Sequence, residues 1–162
     1  NARFEHLKSP TEVVVSVMKL VGGFEFPEPG IGELSKQPQY MGQDLLNPPS
    51  VEGWHTGAEW INSGSLMRRT NFFADLVGEV ERPGIRKIIE NLRLKGDLSP
   101  EDFVDECLDL MGPMVVEKDS RDELISYASE DGSLRWEQNE ISEKRVGQML
   151  QLIVSLRDYQ FA

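Results

Sequence analysis

The chain has 162 residues, 39% of them hydrophobic, and its 28 acidic against 17 basic side chains leave a net charge of −11. A chain this long buries enough apolar surface to hold a core unaided, and its one cysteine, Cys107, excludes an internal disulfide framework and a multi-cysteine zinc site. An acidic chain whose longest basic run is Arg68-Arg69 is poorly matched to nucleic acid or an anionic membrane surface.

The opening stretch from Asn1 to His6 carries no initiator Met, basic n-region or apolar h-region, so the chain is expected to be a fragment of a longer protein. Ser9-Pro10-Thr11-Glu12 combines a capping hydroxyl, a proline suited to the first helical position and a glutamate three residues after the cap. The spacing predicts a helix that carries Val13, Val14, Val17, Met18, Leu20 and Val21 on one stripe and stops at Gly22-Gly23. This is also the richest apolar window, yet Ser16 and Lys19 break it well short of the roughly 18 residues that a membrane span needs, so no span is expected.

After a Pro-containing connector, Ile31 to Leu46 reads as a second helix kinked near Pro38. Asn47-Pro48-Pro49-Ser50-Val51-Glu52-Gly53-Trp54 is incompatible with regular helix or a central strand and reads as an ordered loop with an aromatic anchor. A short helix over Thr56–Ile61 follows, and Ser63 is expected to cap a longer one ending at Gly78. Further helices are expected around Ile85–Leu92, from Ser99-Pro100 to Gly112-Pro113, from the capping box Ser120-Arg121-Asp122-Glu123, and over Asn139–Leu156 with Ile141, Val146, Met149, Leu150, Ile153 and Val154 on the apolar side. The expected architecture is all-α, an irregular bundle of about six to eight helices with a rigid Pro-Pro/Gly-Trp loop. It forms a single helical domain over 1–162, divisible into a motif-bearing part, 1–78, and a C-terminal part, 79–162.

Candidate chemistry gathers at the loop. His55 and Glu59 have the i, i+4 spacing of a ligand pair, but a metal centre needs a third ligand and the other histidine, His6, lies in the terminal stretch, so neither metal nor cofactor is expected. Trp54 and Trp60 flank His55 and offer either a stacking platform for a sugar or core packing. Arg69, with Asn71 behind it, offers a clamp for a carboxylate or phosphate, against a solvated or salt-bridged Arg68-Arg69 pair as the plainer reading. Cys107 sits among Phe103, Val104, Leu108 and Met111 with acidic neighbours, a setting that suits core rather than a nucleophile. Asp131-Gly132 is an ordinary turn pair, and no elbow serine, phosphate loop, dinucleotide fingerprint or zincin motif occurs.

The run Tyr40-Met41-Gly42-Gln43-Asp44-Leu45-Leu46-Asn47-Pro48-Pro49-Ser50-Val51-Glu52-Gly53-Trp54, followed by Trp60-Ile61-Asn62-Ser63 and Arg69-Thr70-Asn71-Phe72, resembles the C-terminal signature of a large bacterial family. That family is catalogued as domain of unknown function 1800. The ending, from Leu156 to Ala162, is similar to the way its members end. The motif residues carried over are Gly42, Gln43, Pro48, Pro49, Gly53, Trp54, Trp60, Asn62, Arg69 and Asn71. The resemblance implies the C-terminal part of a mostly helical, exported or periplasmic bacterial protein, whose partner is the rest of its own chain or a sulfatase- or phosphatase-like neighbour. It implies no mechanism.

Two functional expectations follow. One is a non-catalytic structural or interaction module that binds protein, with Gly42, Gln43, Pro48, Pro49, Gly53 and Asn62 as its architectural motif. The other is a site for a glycan or anion, or a hydrolytic site completed by upstream residues, built from Trp54, His55, Glu59, Trp60, Arg69 and Asn71.

Overall fold

The computed structural model describes residues 7–23, 29–54, 57–60 and 63–160. The capping box forms as its sequence dictates: Glu12 N–H donates to Ser9 Oγ at 3.4 Å, and Ser9 N–H donates to the Glu12 carboxylate at 2.7 Å. Helix α1 (Pro10–Val21) then buries Val13, Val14, Val17 and Val21, a burial that outweighs the low helix propensity of β-branched residues. Gly22 ends it in the left-handed region at φ 63°.

The helix expected over 31–46 is instead two single turns, α2 (Ile31–Leu34) and α3 (Gln37–Tyr40), followed by non-helical chain. Pro38 cannot continue an incoming helix, so it sits in the first turn of a new one. Gly42, at φ 98°, ends that turn, and Gln43 N–H folds back onto Pro38 O at 2.8 Å. Leu45 and Leu46 therefore leave the helical stripe and stand exposed.

A 3-10 turn, Gly57–Trp60, occupies the place of the short helix expected over 56–61, whose two end residues lie outside the described segments. The remaining elements are α4 (Ser63–Gly78), α5 (Pro83–Leu94), α6 (Pro100–Met111), α7 (Lys118–Glu130), α8 (Asn139–Ser155) and α9 (Arg157–Gln160). Three expectations shift. Ser63 is the first helical residue of α4 rather than its cap. Helix α7 starts two residues ahead of Ser120 because Glu117 takes the cap position, its N–H held at 3.0 Å by Asp158 of α9. In α8, Ile141 is 56% exposed rather than on the apolar side, because Ser142 is buried instead, its one hydroxyl proton shared between the carbonyls of Arg135 and Gln138, and sets the phase of the buried stripe.

The fold is all-α, and its core draws on α1 and α4 as well as on α5, α6, α7 and α8. Helix α8 lies against α4, where Gln151 Nε2 donates to Ala74 O at 2.9 Å. Helix α1 meets α5 at Gly84, where an added Cβ would come within 2.0 Å of Leu20 O. Leu98 and Leu134 exchange two backbone hydrogen bonds of 3.0 and 2.9 Å and tie the loop before α6 to the loop after α7.

Candidate functional site

The Pro-Pro/Gly-Trp loop is built from below. Met41 is 2% exposed and Gln43 is 8% exposed, and the Gln43 carboxamide oxygen accepts from both Thr11 N–H, at 2.9 Å, and Thr11 Oγ1, at 2.7 Å. A side chain of the loop thus supplies an acceptor to the first turn of α1, where backbone donors have no intrahelical partner. At the tip, Gly53 N–H donates to Ser50 O at 3.1 Å and Glu52 N–H to Ser50 Oγ at 3.2 Å, closing a tight turn. Gly53 sits at φ 98°, a conformation that side chains rarely adopt.

This scaffold holds two aliphatic side chains out in water. Leu46 is 97% exposed and Val51 105% exposed, on either side of the exposed prolines Pro48 and Pro49. Behind them, half-buried Trp54 tilts 35° against Trp60 with ring centroids 6.4 Å apart. Trp60 is buried, and its carbonyl accepts from Ser65 Oγ at 2.7 Å, linking the aromatic pair to the start of α4.

The six side chains proposed for a ligand do not share one surroundings. Trp54 and Trp60 meet, and Glu59 is exposed beside them in the sequence. His55 lies outside the described residues, as does Asn62 of the architectural motif. Arg69 and Asn71 stand two positions apart on α4 and so point to nearly opposite faces: Asn71 is exposed, whereas Arg69 is 1% exposed. The plainer reading of Arg68-Arg69 as a solvated or salt-bridged pair is therefore corrected for Arg69. Arg68 is exposed, but the Arg69 guanidinium is drawn inward, its Nη1 donating to Lys8 O at 2.9 Å and its Nη2 to Gln160 O at 3.5 Å.

Around Arg69 the electrostatics are unusual. Burial and the Arg69 charge both lower the pKa of Lys8, whose ammonium lies 5.5 Å from the centroid of the Tyr159 ring. Burial pushes the Tyr159 hydroxyl up to about 12, and its ring meets Phe73 edge-on at 5.2 Å. Lys8, Tyr159 and Gln160 carry no sequence motif that would have placed them beside Arg69; only chain reversal through α9 does so.

Elsewhere, Cys107 is fully buried, and burial, with Glu106 adding to it, raises its thiol pKa far above the ordinary range. A cleft of about 540 Å³ between the end of α4 and α8 is lined by Gly78, Val80, Glu81, Glu140, Glu143 and Gln151, among others, but by none of the motif residues. Its Glu143 is already engaged by Arg86 and Arg93 at 2.8 and 2.7 Å. Among the described residues no group of three or more His, Cys, Asp or Glu is arranged to hold a metal ion, and no helix is long and apolar enough to cross a membrane.

The family model described as Protein of unknown function (DUF1800) matches residues 1–161. The chain belongs to the DUF1800 family. No curated protein and no solved structure matches it. In this DUF1800 chain the motif residues resolve into two groups: Gly42, Gln43 and Gly53 shape the loop, and Arg69 braces the junction of α1 and α9.

Proposed function

We propose that this DUF1800 chain is a non-catalytic helical module whose Pro-Pro/Gly-Trp loop docks onto protein, in the setting of a larger bacterial protein exported to the periplasm or beyond. One observation carries the reading: Leu46 and Val51 are almost wholly exposed on a loop that Gln43, Gly53 and the Trp54–Trp60 pair hold in place. Leaving a large aliphatic side chain in water forgoes about 1.5–3 kcal/mol that its burial supplies. A loop tied down at its base does not collapse to recover that energy, so an incoming apolar surface recovers it instead, with little ordering cost. The partner is either another part of the same polypeptide or a separate protein.

The alternative, a glycan platform on Trp54 and Trp60, has half-exposed Trp54 and exposed Glu59 in its favour, but Trp60 is buried and offers no face for stacking.

The test places a photo-crosslinking residue at Leu46, at Val51 and, as a control, at Leu94, which is 86% exposed on a different element. In the protein as its gene encodes it, positions 46 and 51 are expected to crosslink to one defined segment, within the chain or in one stoichiometric partner, while position 94 does not. Equal, diffuse labelling at all three positions overturns the proposal.

A further inference from the structure

We infer that Arg69 and Lys8 form a receptor for a small oxyanion at the junction of α1, α4 and α9. The inference is independent of the docking loop and starts from a contrast among the arginines. Arg82, Arg86, Arg93, Arg121 and Arg145 each meet a carboxylate at 2.7 to 3.7 Å. Arg69, at 1% exposure, pairs with no carboxylate among the described residues, in a chain that carries 28 acidic side chains.

The geometry of its hydrogen bonds says which edge is open. Nη1 is committed to Lys8 O at 2.9 Å, and Nη2 reaches Gln160 O only at 3.5 Å. Nε is buried and has no acceptor. The Nε–Nη2 edge is the fork that binds carboxylate, phosphate or sulfate through two parallel hydrogen bonds. The Gln160 carboxamide does not close this edge: its Nε2 donates to Val154 O at 2.7 Å, and its Oε1 accepts from no group among the described residues.

The Lys8 ammonium lies close enough to feel the Arg69 charge. Burial lowers the pKa of both groups, and the Arg69 charge lowers that of Lys8 further while the Glu12 charge raises it. Glu12, whose charge acts on Lys8, already accepts Ser9 N–H in the capping box of α1. A buried cation without its counter-ion is destabilising, and a bound oxyanion removes that penalty while filling the fork.

The test is thermal unfolding of the chain in low-millimolar phosphate, sulfate or acetate, against sodium chloride at matched ionic strength. Acetate stands for a carboxylate, phosphate and sulfate for tetrahedral anions. At least one of the three is expected to raise Tm saturably, by roughly 5–10 °C at a hundred times its Kd. Arg69→Lys keeps the charge but lacks the fork, and is expected to lose the response. Lys8→Gln leaves the buried guanidinium in place and is expected to weaken it about tenfold in Kd, which keeps the test decisive if Arg69→Lys does not fold.

A response to acetate alone assigns the fork to a carboxylate, and a stronger response to phosphate or sulfate assigns it to a tetrahedral anion; both support the site. A rise that does not saturate, or is the same in Lys8→Gln, is general salting-out and overturns it. So does the absence of any shift beyond chloride, which would leave the buried edge to a bound water only.

Discussion

The carboxamide oxygen of Gln43 receives two hydrogen bonds from Thr11, from its backbone N–H at 2.9 Å and its hydroxyl at 2.7 Å, across 32 residues of sequence. The loop and the first turn of α1 therefore hold each other. Replacing Gln43 by Met keeps the volume and removes the acceptor, and is expected to lower stability by about 1–2 kcal/mol in urea unfolding. Gln43→Glu restores an acceptor at a helix N-terminus, where negative charge is favoured, and is expected to recover most of that loss at neutral pH.

Gly84 tests the packing of α1 on α5. Gly84→Ala places a Cβ within 2.0 Å of Leu20 O, a backbone atom that cannot swing aside, and is expected to cost about 2–3 kcal/mol. Gly32 has open space around the same position, so Gly32→Ala is expected to be neutral or to gain about 0.5 kcal/mol. Equal effects of the two substitutions in thermal unfolding would contradict the close approach.

Asp105 and Arg121 join α6 to α7 through two hydrogen bonds of 2.8 Å each. Hydrogen bonding from Arg121 holds the Asp105 carboxyl below its ordinary value of 3.8. A carboxylate with a depressed folded-state pKa binds its proton more readily when unfolded. Its contribution is therefore complete above pH 3.8 and fades as the pH falls through the lowered folded value. The pair is solvent-exposed and screened, so Asp105→Asn is expected to lower Tm by no more than about 3 °C at pH 7. That difference is expected to shrink toward zero as titration proceeds below pH 3.8.

Cys107 is fully buried on α6, and its thiol pKa is raised by burial and then by Glu106. Reaction with a disulfide reagent requires thiolate and access. In the native protein at pH 8 the thiol is expected to react at least about 1,000-fold more slowly than in the urea-unfolded chain, at a rate set by opening of the fold. Rapid native labelling would show that α6 opens locally.

Capping boxes, prolines at first helical positions and terminal glycines made most helices legible, because these signals act within four residues of one another. Ser9 with Glu12 at the start of α1 and Ser99 at the start of α6 both cap as the pattern predicts. The same grammar failed at Ser120, where a contact from Asp158, 41 residues away, holds the backbone of Glu117 and moves the helix start. It also failed over 31–46, where Pro38 and Gly42 divide the segment into turns.

The sequence by itself determined the helical class, the burial of Cys107, the non-helical loop over 47–54 and membership of the DUF1800 family, since local propensity and motif spacing carry all four. Only the tertiary structure decided the roles within the motif. Gln43 became a cap for a helix it does not belong to, Arg69 was drawn inward to Lys8 and Gln160, and Leu46 and Val51 were left in water. Each outcome depends on which segments meet across long stretches of chain, and the periodicity of one segment carries no information about the partner that will cover it.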